Sequence, residues 1–199
     1  MDTHYQQIMD LAHARGVIRS RDVTDMGFSR VVLTRLVRRG QLRRVGHGLY
    51  AIPDRKVSEF STLAEVARNH PQAIVCLLSA LRFHNLTTQS PFEVWLAIPN
   101  KARAPRVEYP PLRIVRFSGA ALTEGVQEHL VEGVPVRVTS VAKAVADCFK
   151  YRNKIGLDIA IEALQMSWKE KRFQMDELWH FAAVCRVAKV MRPYMESLT

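Results

Sequence analysis

The side chains best suited to act on another molecule lie in one short stretch: Ser29, Arg30, Thr34, Arg35, Arg38, Arg43, Arg44 and His47. Arginine carries a planar, always-charged fork that matches either guanine O6 and N7 or a phosphate, so each arginine has both roles open. Ser29 and Thr34 can reach base edges or phosphate oxygens. His47 reads equally as a phosphate contact and as an exposed turn residue. Together these residue types suit a nucleic acid duplex. The competing reading is a solvated charged helix face, and the elements that position the residues decide between the two.

Those elements follow a recognisable order. From Thr3, which suits an N-cap, Ile8, Leu11 and Ala12 recur at helical spacing until Gly16, a residue suited to a left-handed C-terminal cap. Ser20 can cap a short helix over Arg21–Met26 ended by Gly27, and Ser29 a third over Arg30–Arg39 ended by Gly40. In the third helix Val32, Leu33, Leu36 and Val37 form one apolar stripe. This leaves Arg30, Thr34, Arg35 and Arg38 on the opposite side. Gln41–Val45 and Leu49–Ile52 then read as two strands about the Gly46-His47-Gly48 turn. A helix-turn-helix followed by a basic hairpin is a winged helix, and that order outweighs the solvated-face reading.

Charge agrees with this placement. The chain has 199 residues, 48% of them apolar, and a formal net charge of +10, which favours polyanionic partners, nucleic acid first and an anionic membrane surface second. Residues 1–56 hold 11 Lys or Arg against 5 Asp, a net +6, so most of the excess sits in little more than a quarter of the chain. The ordinary 24% charged fraction and the spread of apolar residues exclude a disordered polyelectrolyte. No apolar run approaches ~18 residues and no secretory leader is visible, so the chain is expected to remain cytoplasmic without a membrane partner. Cys76, Cys148 and Cys185 are widely spaced, with no CxxC, and read as reduced core residues.

The polar segment Pro53–Ser58 divides the chain into two expected domains, residues 1–56 and residues 57–199. Beyond it, a helix is expected over Ser61–Asn69. The uniformly apolar run Ala73–Leu81 is expected to be a buried helix. Strands are expected over Glu93–Ile98 and Leu112–Phe117, and a hairpin over Val126–Val138. Three helices follow, Ser140–Tyr151, Leu157–Lys171 and Asp176–Lys189. The fold class is therefore α+β, a winged helix-turn-helix joined to a larger mixed α/β domain with a small sheet.

Catalytic chemistry finds little support. GxSxG, Walker and HExxH motifs are absent, as are the Gly-Ser and paired carboxylates of a nucleotidyltransferase. Ser79, His84 and Asp147 are the one conceivable triad, without a nucleophile elbow to support it. No catalytic residue, cofactor or metal is assigned. The basic residues of the second domain, among them Lys143, Lys150, Arg152 and Lys154, are candidate antitoxin or phosphate contacts. For the Lys150–Lys154 cluster a charged helix cap is an equal reading.

The chain resembles the AbiEi-family antitoxins of bacterial type IV toxin–antitoxin systems, which act in abortive infection as a defence against phage. The resemblance runs through Arg44-Val45-Gly46-His47-Gly48-Leu49-Tyr50, Cys76–Thr88 leading into Val94–Pro99, Arg116-Phe117-Ser118-Gly119, and Ala142–Phe149 with Tyr151–Lys154. It implies a double-stranded DNA partner, with the N-terminal domain repressing its own promoter at inverted repeats. It further implies that the C-terminal domain counteracts a nucleotidyltransferase-like toxin without a stable complex. An orphan winged-helix regulator whose second domain senses a ligand stays open beside it.

Overall fold

Ile8 and Ala12, one turn apart, give the first helix, α1 (Thr3–Arg15), a single buried edge, and residues of the later helices and of the first strand join it in one core. A computed structural model describes residues 3–15, 17–46, 48–53, 60–89, 91–105, 107 and 110–198, divided between two units, Met1–Ser61 and Thr62–Thr199. In the first unit α1 is followed by β1 (Val17–Arg19), α2 (Ser20–Asp25), α3 (Val31–Arg38), β2 (Arg43–Gly46) and β3 (Leu49–Ala51). The strands form an antiparallel sheet in the order β1-β3-β2. Ile18, Val23, Leu33, Leu36 and Leu42 close the core against Ile8 and Ala12. Burying a side chain of this size stabilises the fold by about 1.5–3 kcal/mol.

Strand β1 has no counterpart in the sequence reading. Three residues are too few to show a period of two; Val17–Arg19 becomes a strand because β3 offers it an edge to pair with. The hairpin, by contrast, forms where the glycine turn indicates. Helix α2 begins one residue earlier than expected, because Ser20 does not cap it. The cap residue is Arg19, whose backbone N–H donates to the Asp22 carboxylate, three residues on, at 2.9 Å. Gly16, His47 and all of the expected linker except Pro53 lie outside the described residues.

The second unit holds a five-stranded mixed sheet in the order β6-β5-β4-β8-β7. Its strands are β4 (Ile74–Val75), β5 (Val94–Pro99), β6 (Leu112–Phe117), β7 (Val126–Val131) and β8 (Val134–Thr139). β7 and β8 form the expected hairpin, in register from Val126↔Thr139 to Val131↔Val134. The helices are α4 (Ser61–Asn69), α5 (Leu77–Phe83), α6 (Ala120–Thr123), α7 (Val141–Lys150), α8 (Arg152–Ile155), α9 (Leu157–Lys169), α10 (Met175–Val184) and α11 (Ala188–Glu196). Helix α7 is buried all round from Val141 to Phe149 and packs against α5, α9 and α10. It is the central helix of this unit.

Two expectations are corrected here. The run Ala73–Leu81 is not one helix: Ile74–Val75 is a strand paired with β5, Cys76 stays extended with its N–H donating to the Trp95 carbonyl, and the helix begins at Leu77. The expected helix Asp176–Lys189 is two helices. The break is a left-handed residue, Arg186 at φ 60°, after which the Val187 N–H reaches the Ala182 carbonyl and the Arg186 N–H the Ala183 carbonyl. That bond pair is the Schellman closure that a glycine ordinarily supports.

Candidate nucleic-acid interface

The exposed basic face of the first unit is built by α3. At its start the Ser29 hydroxyl accepts the Val31 backbone N–H at 3.3 Å. At its end Gly40 adopts φ 69°, with Gly40 N–H bonded to the Val37 carbonyl and Gln41 N–H to the Leu36 carbonyl. Between these stops Leu33 and Leu36 are wholly buried, and the other side presents Val31, Thr34, Arg35 and Arg38, all exposed, at positions i, i+3, i+4 and i+7. Arg30, just before the first turn, is exposed as well. Thus the structure places Thr34, Arg35 and Arg38 on α3, with Ser29 and Arg30 immediately before its first turn. It adds Val31, whose spacing from Thr34 and Arg35 is legible in the sequence but whose apolar type does not mark it as a polar contact.

The other basic residues of this unit divide by what they touch. Asp22 holds Arg15 at 3.3 Å, Arg21 pairs with Asp25 at 3.7 Å, and the Arg39 guanidinium lies 4.9 Å from the centre of the Tyr5 ring. These three are tied to their own fold. Arg30, Arg35, Arg38 and Arg43 have no ion-pair or hydrogen-bonding side-chain partner among the described residues. Unneutralised arginines on one helix and the adjacent strand constitute a positive surface.

The hairpin is anchored to the helical part. The Ser20 backbone N–H donates to the Gly48 carbonyl at 2.8 Å, joining the tip of the β2–β3 turn to the first residue of α2. Gly48 has φ 66°, a conformation that favours glycine, and a Cβ there would come within 2.9 Å of the Ser20 hydroxyl oxygen, which would have to shift. On β2 the Arg44 Nε donates to the Gly46 carbonyl at 3.1 Å, which stiffens the strand's approach to the turn, while Arg43 is exposed.

In the second unit the four basic candidates are not one cluster. Lys143 is a correction: it is fully buried, its Nζ donating to both carboxylate oxygens of Asp147 at 2.6 and 2.7 Å and lying 4.7 Å from the centre of the Phe117 ring. A phosphate outside the protein has no access to it. Its i, i+4 spacing from Asp147 was visible in the sequence, but a lysine is ordinarily expected at the surface. Arg152 Nη1 donates to the Phe149 carbonyl at 2.9 Å, which makes it a C-terminal cap of α7. Lys154 lies 5.6 Å from the centre of the Tyr151 ring, and Lys150 is exposed.

The conceivable triad is not assembled. Ser79 Oγ accepts the Trp95 N–H at 2.9 Å, His84 Nε2 sits 2.7 Å from the Thr139 carbonyl, and Asp147 is engaged by Lys143 and by the Cys185 thiol at 3.2 Å. Burial raises the Asp147 carboxyl above its ordinary range, and Lys143 opposes the rise. Burial also lifts the Cys76 and Cys148 thiols and pushes Cys185 up to about 12, so none is a ready nucleophile. All three cysteines are free and buried, as expected of reduced core residues.

A helix-turn-helix carrying an exposed basic face, with a hairpin pinned beside it, defines a class of transcriptional regulators. Residues 6–53 match the family model described as "Transcriptional regulator, AbiEi antitoxin", which covers all of α1 to β3 except the first three residues of α1. No curated protein matches the chain. Among solved structures, the RV2827C protein from Mycobacterium tuberculosis superposes with a TM-score of 0.56 at 14% identity, covering 100% of this chain and 81% of that one. At that identity the likeness concerns the fold: an N-terminal helix-turn-helix unit and a mixed α/β unit in one chain. Among the described residues no helix is long and apolar enough to cross a membrane.

Proposed function

We propose that the chain is a DNA-binding antitoxin of the type IV class, which represses its own promoter at inverted repeats and counteracts a nucleotidyltransferase-like toxin in the cytoplasm. The observation that carries the DNA half is the exposed face of α3, where Thr34, Arg35 and Arg38 have no side-chain hydrogen bond or ion pair among the described residues, on a helix capped at both ends. Such a helix meets a major groove without reorganising, and Arg43 on the neighbouring strand supplies a phosphate contact. The family match over residues 6–53 supports the same reading.

The test is a gel-shift series on the DNA upstream of the gene against random duplex. Preferential binding is expected, with the logarithm of affinity falling linearly with the logarithm of salt at a slope near −0.9 per phosphate neutralised. Equal affinity for both duplexes would overturn the operator reading. For the toxin half, residues 57–199 are proposed to carry the antagonism. Co-expression with the toxin should then show rescue of growth by that segment and none by residues 1–56. Rescue that requires an intact α3 face would place the activity in DNA binding instead.

A further inference from the structure

We infer that Val31 reads the 5-methyl group of a thymine in the major groove, an inference that rests on α3 being the helix that enters it. Val31 is 55% exposed, more than Met26 or Val45, the other large exposed apolar side chains among the described residues of the N-terminal unit. Its exposure is not forced by the core. Leu33 and Leu36 already fill the buried side of α3, and Val31 points with Thr34, Arg35 and Arg38 to the side opposite them. Nor does valine favour the helix, because a β-branched residue loses side-chain freedom there relative to alanine. An aliphatic side chain held in water, at the start of a helix and among cationic and hydroxyl side chains, is matched to a surface that offers one apolar group among many polar ones.

The major-groove edge of duplex DNA is such a surface. Its donors and acceptors distinguish the four base pairs, and the thymine methyl is its only apolar feature. Val31 is held in place for this contact, since its own backbone N–H is bonded to Ser29 Oγ and a helical valine has essentially one rotamer. In helix-turn-helix proteins the residues near the start of the reading helix are the ones that meet base edges. Arg35, one turn further on and ~6 Å along the helix axis, would meet a base close to that thymine. The site then recognises thymine by shape at one position and guanine by hydrogen bonds at a neighbouring one.

The experiment uses the full-length protein and the upstream duplex, with each thymine replaced in turn by deoxyuridine, which removes one methyl and nothing else. Binding is read by fluorescence anisotropy. The expected result is one thymine in each half-site whose replacement weakens the wild-type protein about fourfold, the effect of withdrawing one buried methyl from contact. Val31→Ala should bind the thymine duplex more weakly and lose the distinction between thymine and deoxyuridine at that position. There, a C·G pair should bind more tightly when the cytosine carries a 5-methyl group, in the wild type only. Because Val31 is more than half exposed and lies outside the buried cluster of its unit, circular dichroism of the variant should be unchanged. Uniform tolerance of deoxyuridine by a wild-type protein that still prefers its own upstream DNA would overturn this inference alone. Failure of the wild type to prefer that DNA would remove the underlying reading as well. A change in oligomeric state on Val31→Ala, with methyl sensitivity retained, would assign the side chain to a contact between copies and overturn the inference.

Discussion

Lys143 and Asp147 face each other one turn apart on α7, the ammonium 2.6 and 2.7 Å from the two carboxylate oxygens, with neither side chain more than 1% exposed. A buried pair of this kind is costly to desolvate and more costly to break, because a lone charge then remains in the interior. Lys143→Met alone, or Asp147→Leu alone, should destabilise the chain by about 3–5 kcal/mol. The double variant should recover most of that loss. Urea denaturation of the four proteins measures the cycle; a double variant as unstable as the sum of the two singles would show that the pair is not the source.

Gly48→Ala should act through the hairpin. A left-handed alanine costs roughly 1–2 kcal/mol, to which the approach to the Ser20 hydroxyl adds. The expected outcome is a lower melting temperature and weaker DNA binding together. Gly133→Ala, at another positive φ but with open space around the added carbon, provides a comparison in which DNA binding is retained.

Arg35→Ala and Arg43→Ala should differ in kind. Loss of a base-reading arginine on α3 should weaken the preferred duplex by about 1–3 kcal/mol and relax sequence preference. Loss of Arg43 should weaken all duplexes alike and reduce the salt slope by about one. Competition titrations with preferred and random duplexes at several salt concentrations separate the two outcomes, and identical losses at both positions would mean that α3 is not the reading helix.

Burial lowers the affinity of His84 for a proton, with the Thr139 carbonyl opposing the shift and His129 and Arg172 adding to it. The unfolded chain therefore binds the proton more readily. Stability should be full above the ordinary histidine value near 6.5 and fall as pH drops through and below it. His84→Gln should show a shallower fall in its urea midpoint between pH 7 and pH 5 than the wild type. A fall of the same steepness in both proteins would assign the loss to other groups.

What the sequence determined by itself is the material of local rules. Leu33 and Leu36 lie three residues apart, so one side of α3 had to be buried whatever it packed against. Gly27 and Gly40 end α2 and α3, because a residue free to take positive φ lets two backbone N–H groups fold back onto the last turn. The glycine pair around residue 47 marked the hairpin, and the basic excess in residues 1–56 marked the segment that carries the candidate site. Fold class and the α3 face were therefore legible before any coordinates.

Tertiary structure decided what depends on a distant partner. Asn85, Lys171 and Arg186 close α5, α9 and α10 with the same bond pattern as the glycines, at φ 58°, 53° and 60°. Nothing local marks Lys171 or Arg186 for that conformation. The packing of the next segment must outweigh a backbone cost of roughly 1–2 kcal/mol at each, and for that reason the boundary between α10 and α11 was not readable. Strand β1 exists because β3 pairs with it, and the split of Ala73–Leu81 follows from β5 accepting Ile74 and Val75 as a neighbour. Lys143 reverses its expected place for the same reason. Its charge is tolerated in the interior only because Asp147 is held opposite it by a helix that α5, α9 and α10 enclose, and that enclosure comes from residues far apart in the chain.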